Sequence, residues 1–264
     1  MANQQTAAFY DEVWQRYAHL DAASPASFHR RRLIAKLAAE TAPGAGEVLD
    51  VGCGQGELLG ELGRRLPNAR LSGADVSEQS LSDSRRRSAG SELFALDLTD
   101  SEFDKKHRER LGRYDLVVCS EVLEHIADHE LAARRLLGLL KPGGSVIVTV
   151  PGGKMSKYDR AIGHERHYRA ADLRVLLEVG GFENIRVLAW GFPFHTLYRT
   201  AVRVASRVAL PTSGRPTAGN DRTPALGALL GRAYSAMGAA LKPLFYLNTI
   251  RRGEQMFAVA CRPA

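Results

Sequence analysis

Ser120-Glu121-Val122-Leu123-Glu124-His125 sets two carboxylates and an imidazole within one short stretch. Those groups can do two kinds of chemistry. A histidine of near-neutral pKa can take a proton from an acceptor hydroxyl or amine. Glu121, Glu124 and His125 also have the i, i+3, i+4 spacing of three metal ligands on one helical turn. A fourth ligand is available from Gly163-His164-Glu165-Arg166-His167-Tyr168. A plainer role fits too: lining a ligand site and capping the next helix, with the His164 segment a surface loop.

Val48-Leu49-Asp50-Val51-Gly52-Cys53-Gly54-Gln55-Gly56 is the second such place. A dinucleotide turn reads Gly-x-Gly-x-x-Gly and packs a pyrophosphate on a helix N-terminus. Here the glycines fall at Gly52, Gly54 and Gly56, with Asp50 just before them. A carboxylate there repels pyrophosphate but receives a cationic amino group, directly or through water. The ligand is therefore expected to carry an ammonium and a sulfonium, which argues against a nicotinamide dehydrogenase. Asp75, at the tip of the next strand, can accept from both ribose hydroxyls. Asp97, at the tip of the third, can take the amine of adenine, with Val76 and Leu98 packed on the ring. Each Asp alone is equally a turn or helix cap; three acids behind one glycine turn make a site.

These residues need a scaffold, and the hydrophobic pattern supplies one. Val48–Val51, Arg70–Ala74, Glu92–Leu96, Tyr114–Cys119 and Ser145–Val150 read as strands, apolar throughout and so covered on both faces. Helices are expected between them at Gly56–Arg65, Glu78–Ser88, Ser101–Leu111 and Asp128–Leu140, the last stopped by Lys141-Pro142-Gly143-Gly144. Such alternation gives a parallel, doubly wound sheet. A helix over Ala170–Val179, a strand over Glu183–Trp190 and a final strand over Gln255–Cys261 complete it.

The chain resembles the class I S-adenosylmethionine-dependent methyltransferases over residues 45–190 and the last strand. The likeness rests on Val48 to Gly56, on Asp75 and Asp97, on Tyr114-Asp115-Leu116-Val117-Val118-Cys119, and on Leu140-Lys141-Pro142-Gly143-Gly144. It implies a Rossmann-like α/β fold: a seven-stranded doubly wound sheet, an antiparallel last strand and a helical insertion before it. It implies S-adenosyl-L-methionine as cofactor, held by Asp50, Gly52, Gly54, Gly56, Asp75, Val76, Asp97, Leu98 and Cys119. Ser120 to His125 is also similar to the matching motif of ubiquinone-pathway O-methyltransferases and small-RNA 2'-O-methyltransferases. That likeness implies catalytic roles for Glu121, Glu124, His125 and His164, and makes the same four ligands for a divalent metal, magnesium or zinc. Many similar enzymes use no metal there, and methyl transfer depends mainly on alignment.

Composition bounds the partners. The chain has 264 residues, 45% hydrophobic and 25% charged, which is ordinary globular material. The polar start is read as no secretion signal, and no long uncharged apolar run suggests a membrane span, so a cytoplasmic location is expected. Cys53, Cys119 and Cys261 lie too far apart for a zinc or disulfide framework. The formal charge of +7 is uneven: residues 1–150 hold 19 basic against 22 acidic residues, and 151–264 hold 17 against 7.

Three parts are expected: an N-terminal helical cover (1–44), the cofactor domain (45–191 with 253–264) and an inserted subdomain (192–252). In the cover, Tyr10, Trp14 and Tyr17 stand at helical spacing; Tyr10, Tyr17 or Arg32 can reach a methionine carboxylate, or Arg30-Arg31-Arg32 is a solvated face. In the insertion, Leu197, Ala201, Val204 and Val208 form one helical stripe and Arg199, Arg203 and Arg207 another. A linker, Pro211–Pro224, leads to the apolar stretch Ala225–Leu241, which Lys242-Pro243 is expected to interrupt. The insertion is read as a lid, a homodimer contact or a peripheral contact with an anionic membrane surface. The expected acceptor is a small, hydroxylated, fairly apolar molecule, methylated on oxygen rather than nitrogen. RNA 2'-O-methylation and a non-catalytic cofactor-binding scaffold are the alternatives; without a recognisable RNA-binding module, no nucleic-acid partner is expected.

Overall fold

The structure is a computed structural model and describes residues 7–12, 24–88, 90–209 and 238–264. Seven strands form one sheet: β1 (Glu47–Val51), β2 (Arg70–Asp75), β3 (Glu92–Ala95), β4 (Tyr114–Ser120), β5 (Leu140–Pro151), β6 (Glu183–Trp190) and β7 (Gln255–Cys261). Their order is β3-β2-β1-β4-β5-β7-β6. β1 to β5 pair in parallel, while β7 runs antiparallel to both β5 and β6. This is the Rossmann-like doubly wound sheet expected from the sequence. After β3 the chain returns to the other side of β1, so the order reverses between β1 and β4. Their C-terminal ends open a crevice there, where open α/β sheets bind ligands.

Ten helices accompany the sheet among the described residues: α1 (7–12), α2 (Pro25–Thr41), α3 (Glu57–Arg65), α4 (Glu78–Arg87), α5 (Phe103–Lys106), α6 (His129–Leu139), α7 (Lys157–Ala161), α8 (Ala170–Val179), α9 (Phe194–Ala209) and α10 (238–245). Successive strand residues point to opposite faces. Leu49, Val51, Val117 and Val148 thus join Leu136 of α6 and Leu173 of α8 on one face. Val48, Leu116, Val118 and Ile147 meet Ile34 of α2 and Leu62 of α3 on the other.

The helix expected over Ser101–Leu111 shrinks to α5 and one 3-10 turn at Arg108–Arg110. Only Phe103 is a buried apolar anchor in α5, and the charged residues after it give no apolar stripe to bury. At the other boundary, α6 ends at Leu139 and β5 begins at Leu140, ahead of the turn that was expected to precede the strand.

The insertion departs most from expectation. Leu197 and Val204 of α9 are exposed, at 62% and 55%, while the arginine stripe turns inward. Arg199 Nη1 lies 3.2 Å from Asp159 Oδ1, and Arg203 Nη1 2.6 Å from Glu254 Oε2. A guanidinium facing the protein needs an acid beside it, and each has one. Two of the three arginines of the basic stripe are therefore internal; the side chain of Arg207 lies outside the described residues, as do Trp14, Tyr17, Pro211–Pro224 and Leu226, Leu230, Tyr234 and Met237. α10 runs on through Lys242-Pro243 instead of breaking there. Phe245, two residues later, is 1% exposed, stacks on His29 of α2 at 5.6 Å and approaches Trp190 and Tyr198.

Phe245 thus ties α10 into the core shared with α2 and β6. Phe245→Ala is expected to cost about 3–5 kcal/mol in denaturant unfolding, the usual cost of a large core truncation, with one cooperative transition. A loss under about 1 kcal/mol would show that α10 folds apart from the core.

Candidate active site

The crevice is a cavity of about 610 Å³, within the ~300–1,000 Å³ range of small-molecule sites. Gly52, Gly54 and Gly56 line its floor or support it, all with positive φ (74°, 52° and 83°). A Cβ at Gly52 would come within 2.2 Å of Val122 Cγ2, and one at Gly56 within 2.5 Å of Ser84 Oγ. Conformation and space therefore both require glycine at these two turns.

Asp50 lies under this turn, 1% exposed, and neither carboxylate oxygen has a hydrogen-bond partner. Burial first, then the neighbouring Asp75 carboxylate, push its pKa well above the ordinary carboxylate range. Asp75 is also buried, but Oδ1 accepts from Ser77 N and Oδ2 from Gly54 N, both at 2.9 Å. Its pKa is raised by burial, against those two bonds. Two of its lone-pair sites are thus used in shaping the loop, leaving others for a ligand. Val76, Leu96 and Leu98 line the wall beyond. Asp97 also lines the cavity but is exposed, and its Oδ1 accepts from Thr99 N and Oγ1, both at 2.7 Å. Cys119 does not line the cavity: it is fully buried in the core with Leu49 and Val117, and Ser120 reaches the cavity in its place.

The acid and histidine stretch folds differently from the helical turn its spacing suggested. Glu121 has φ 57° and the 3-10 turn covers only Leu123–His125, so the three side chains do not align on one helix face. Glu121 Oε1 accepts from Gln255 Nε2 at 2.8 Å and Thr149 Oγ1 at 3.2 Å, and Oε2 faces Arg30 Nη1 at 3.4 Å. These partners occupy the oxygens expected to bind a metal. Glu124 is the opposite case: fully buried, with both oxygens unpartnered and a pKa pushed well up by burial.

His125 and His164 stand with ring centroids 4.6 Å apart, close to perpendicular. Burial lowers the His125 pKa to about 4 and pulls His164 far down. Both imidazoles are therefore neutral at pH 7. Their protons are fixed by neighbours. His167 Nδ1 lies 3.2 Å from Gly153 O, a carbonyl that can only accept, so this nitrogen carries hydrogen and Nε2 is bare. Bare Nε2 in turn receives His164 Nδ1–H at 3.1 Å. His164 Nε2 is then left as a lone pair, 4.0 Å from Glu124 Oε1. His125 bonds the Gly163 carbonyl through one nitrogen and has a buried, unpartnered Nδ1. Glu124, His125 and His164 thus offer one ligand atom each within 4.8 Å of one another; Asp159, His164 and His167 cluster as closely, but there Asp159 is held by Ser156 and Arg199 and His167 by His164 and Gly153. Neutral imidazoles held by carbonyls beside an unpartnered carboxylate suit a divalent cation. Glu121 is not in either group.

Tyr10 of α1 packs edge-on to His125 at 5.6 Å, and Asp11 accepts from Ser77 Oγ, so α1 lies across the cavity. Arg30 and Arg31 line it. Arg32 does not: it is exposed and sits over the Phe28 ring. Arg30, Asp159, His195, Arg199 and Gln255 were not singled out as site residues in the sequence, while His167 lay in the segment offered for a fourth ligand. Gln255 carried a signal, a polar residue opening an otherwise apolar strand, and Arg199 belonged to the basic stripe.

A methyltransferase-domain family profile matches residues 22–187. The chain belongs to this family, and its fold is that of the class I S-adenosylmethionine-dependent methyltransferases. It is 31% identical over 116 residues to the ubiquinone biosynthesis O-methyltransferase of Acinetobacter baylyi, a match covering 44% of this chain and 48% of that protein. With the enzyme of the same name from Marinobacter nauticus it shares 38% over 103 residues, 38% of this chain and 42% of that protein. The chain spans about half the length of these curated relatives. Among solved structures, phosphoethanolamine N-methyltransferase 2 of Haemonchus contortus in complex with S-adenosyl-L-methionine matches with TM-score 0.58 and 18% identity, over 91% of this chain and 54% of that one. The [4+2]-cyclase SpnF matches with TM-score 0.56 and 20% identity, over 88% and 82%. Structural likeness at these identities defines the fold alone.

The unpartnered carboxyl under the turn has a measurable consequence. Folding raises the Asp50 pKa, so its contribution to stability is full below the unfolded value of about 3.9 and is lost as pH rises through the folded value. The ligand-free protein should lose stability as pH rises from the acid side towards neutrality, and Asp50→Asn should flatten part of that loss. Urea unfolding at a series of pH values checks this; parallel pH profiles for the two proteins would contradict it.

Proposed function

We propose that the chain is an S-adenosyl-L-methionine-dependent methyltransferase acting on a small, hydroxylated, fairly apolar acceptor, on oxygen in preference to nitrogen. The observation that carries this is Asp50: a buried carboxyl with no partner, below a turn that only glycine can make, at the switch point of the sheet. Leaving a buried polar group unpaired costs about 1–3 kcal/mol, and a cationic ligand group removes that cost. When bound, S-adenosyl-L-methionine supplies an electrophilic methyl group on a sulfonium. Asp50 receives the ammonium, Asp75 the ribose hydroxyls, and Val76 and Leu98 hold the adenine ring, with Asp97 at its edge. Gly52 and Gly54 let the backbone approach, and α1 excludes water from above.

The acceptor then lies on the β4 and β5 side, beside His125 and His164. His125 lines this side and, neutral at pH 7, is assigned as the base for the hydroxyl proton while the two reactants are held in line. The names of the curated relatives support an oxygen acceptor. A second reading is favoured by the two unpartnered oxygens of Glu124: Glu124, His125 and His164 would hold a magnesium or zinc ion, which polarises the acceptor hydroxyl. The outward apolar side chains Leu197, Val204 and Leu247 support a membrane or dimer contact by the insertion. No helix among the described residues is long and apolar enough to cross a membrane.

Methyl-labelled cofactor incubated with a panel of phenols, catechols and amines tests the proposal. Label is expected in hydroxylated acceptors, and His125→Ala should lower turnover by about 10²-fold or more if it is the base. Label confined to amines contradicts the oxygen preference. Activity lost on chelation and restored by magnesium or zinc selects the metal reading, and activity indifferent to chelator excludes it.

A further inference from the structure

Charged groups line both ends of the cavity, and Glu121, Asp159 and Glu165 stand among the basic ones. Asp50, Asp75 and Asp97 gather on the β1 to β3 side, where the cofactor is assigned. Two guanidiniums stand on the other side: Arg30 from α2, and Arg199 from α9, in the segment between β6 and β7. Their side chains are 14% and 17% exposed. Each makes one contact to a carboxylate: Arg30 Nη1 to Glu121 Oε2 at 3.4 Å, and Arg199 Nη1 to Asp159 Oδ1 at 3.2 Å. Neither pair is the bidentate fork that a guanidinium forms with a free carboxylate.

The remaining donors are the notable ones. Arg30 Nε and Arg199 Nη2 are buried and have no acceptor. The acids beside them have little left to give. Glu121 Oε1 is taken by Gln255 and Thr149, and Asp159 Oδ2 caps α7 through Ser156 N and Oγ. Both guanidiniums line the same cavity as His164 and His195. Buried cationic donors without acceptors call for an anionic one.

We propose that Arg30 and Arg199 form an oxyanion subsite at the acceptor end of the cavity, so that the methyl acceptor carries a carboxylate or phosphate beside its hydroxyl. This rests on the methyltransferase reading above and narrows its acceptor to an amphipathic anion. The anionic group docks between α2 and α9, and the hydroxyl is thereby presented to His125 and His164. Arg199 would select the acceptor from the insertion, while the sheet holds the cofactor.

The test uses the full chain with S-adenosylhomocysteine, whose affinity is measured first by calorimetry. No binding at that stage overturns the cofactor reading and this proposal with it. With the product bound, 4-hydroxybenzoate, its methyl ester, phenyl phosphate and phenol are titrated by saturation-transfer NMR. At least one oxyanion is expected to bind about tenfold more tightly than its uncharged partner, and the stronger of the two identifies the group as carboxylate or phosphate. Arg199→Gln should abolish that preference with S-adenosylhomocysteine affinity unchanged, and Arg199→Lys should keep part of it, which separates lost recognition from misfolding. Equal binding of anion and neutral partner, absence of anion binding at millimolar concentration, or a preference that survives Arg199→Gln overturns the proposal. So does an Arg30→Gln protein that loses S-adenosylhomocysteine affinity but keeps the anion preference, since Arg30 would then serve the methionine carboxylate.

Discussion

A carboxyl buried without a partner is an unstable arrangement, and Asp50 holds that arrangement at the centre of the sheet. It sits on β1, between β2 and β4, where the strand order reverses. Both oxygens lack a donor and its nearest ionisable influence is another acid, Asp75. The fold tolerates this because cores of apolar side chains on both sheet faces supply the surplus stability. An unpaired group at a ligand site is offset elsewhere, and on the proposed reading the cofactor's ammonium supplies the missing partner. In the turn above Asp50, a side chain at Gly52 would strike Val122.

Polar groups on the other half of the cavity are ordered by a separate chain of contacts. Gln255, at the start of β7, bonds Glu121 beyond the end of β4, and Glu121 orients Arg30 of α2. Asp159 of α7 holds Arg199 of α9, and the 159–165 segment is pinned to the 3-10 turn by Glu165 N bonding Glu124 O at 2.8 Å. His167 fixes the tautomer of His164 through its own bond to Gly153 O. One end of the site is thus built from three consecutive strand tips, the other from elements scattered between residues 30 and 255.

That difference explains what the sequence could disclose. Asp50, Asp75 and the glycines were legible because each falls at a fixed place relative to an apolar strand, and a strand tip is set by local pattern. The sheet and its antiparallel last strand were legible for the same reason. Cys119 was misassigned because apolar residues along a fully buried strand carry no mark of which face they take. Glu121 was grouped with Glu124 and His125 by helical spacing, and its positive φ, a tertiary feature, moved it to the Arg30 side. The arginine stripe of α9 gave no sign of its internal partners because its acids, Asp159 and Glu254, lie 40 and 51 residues away in the chain. Long-range pairing of this kind leaves no periodic trace.

On the proposed reading, Asp50 and the turn above it select a cationic cofactor over a pyrophosphate one. Calorimetric titration of the full chain with S-adenosylhomocysteine and, separately, with NAD tests it most directly. Saturable binding of S-adenosylhomocysteine, sharply weakened in Asp50→Asn, and no heat of binding with NAD are expected. Binding of NAD, or S-adenosylhomocysteine affinity unchanged in Asp50→Asn, would contradict it.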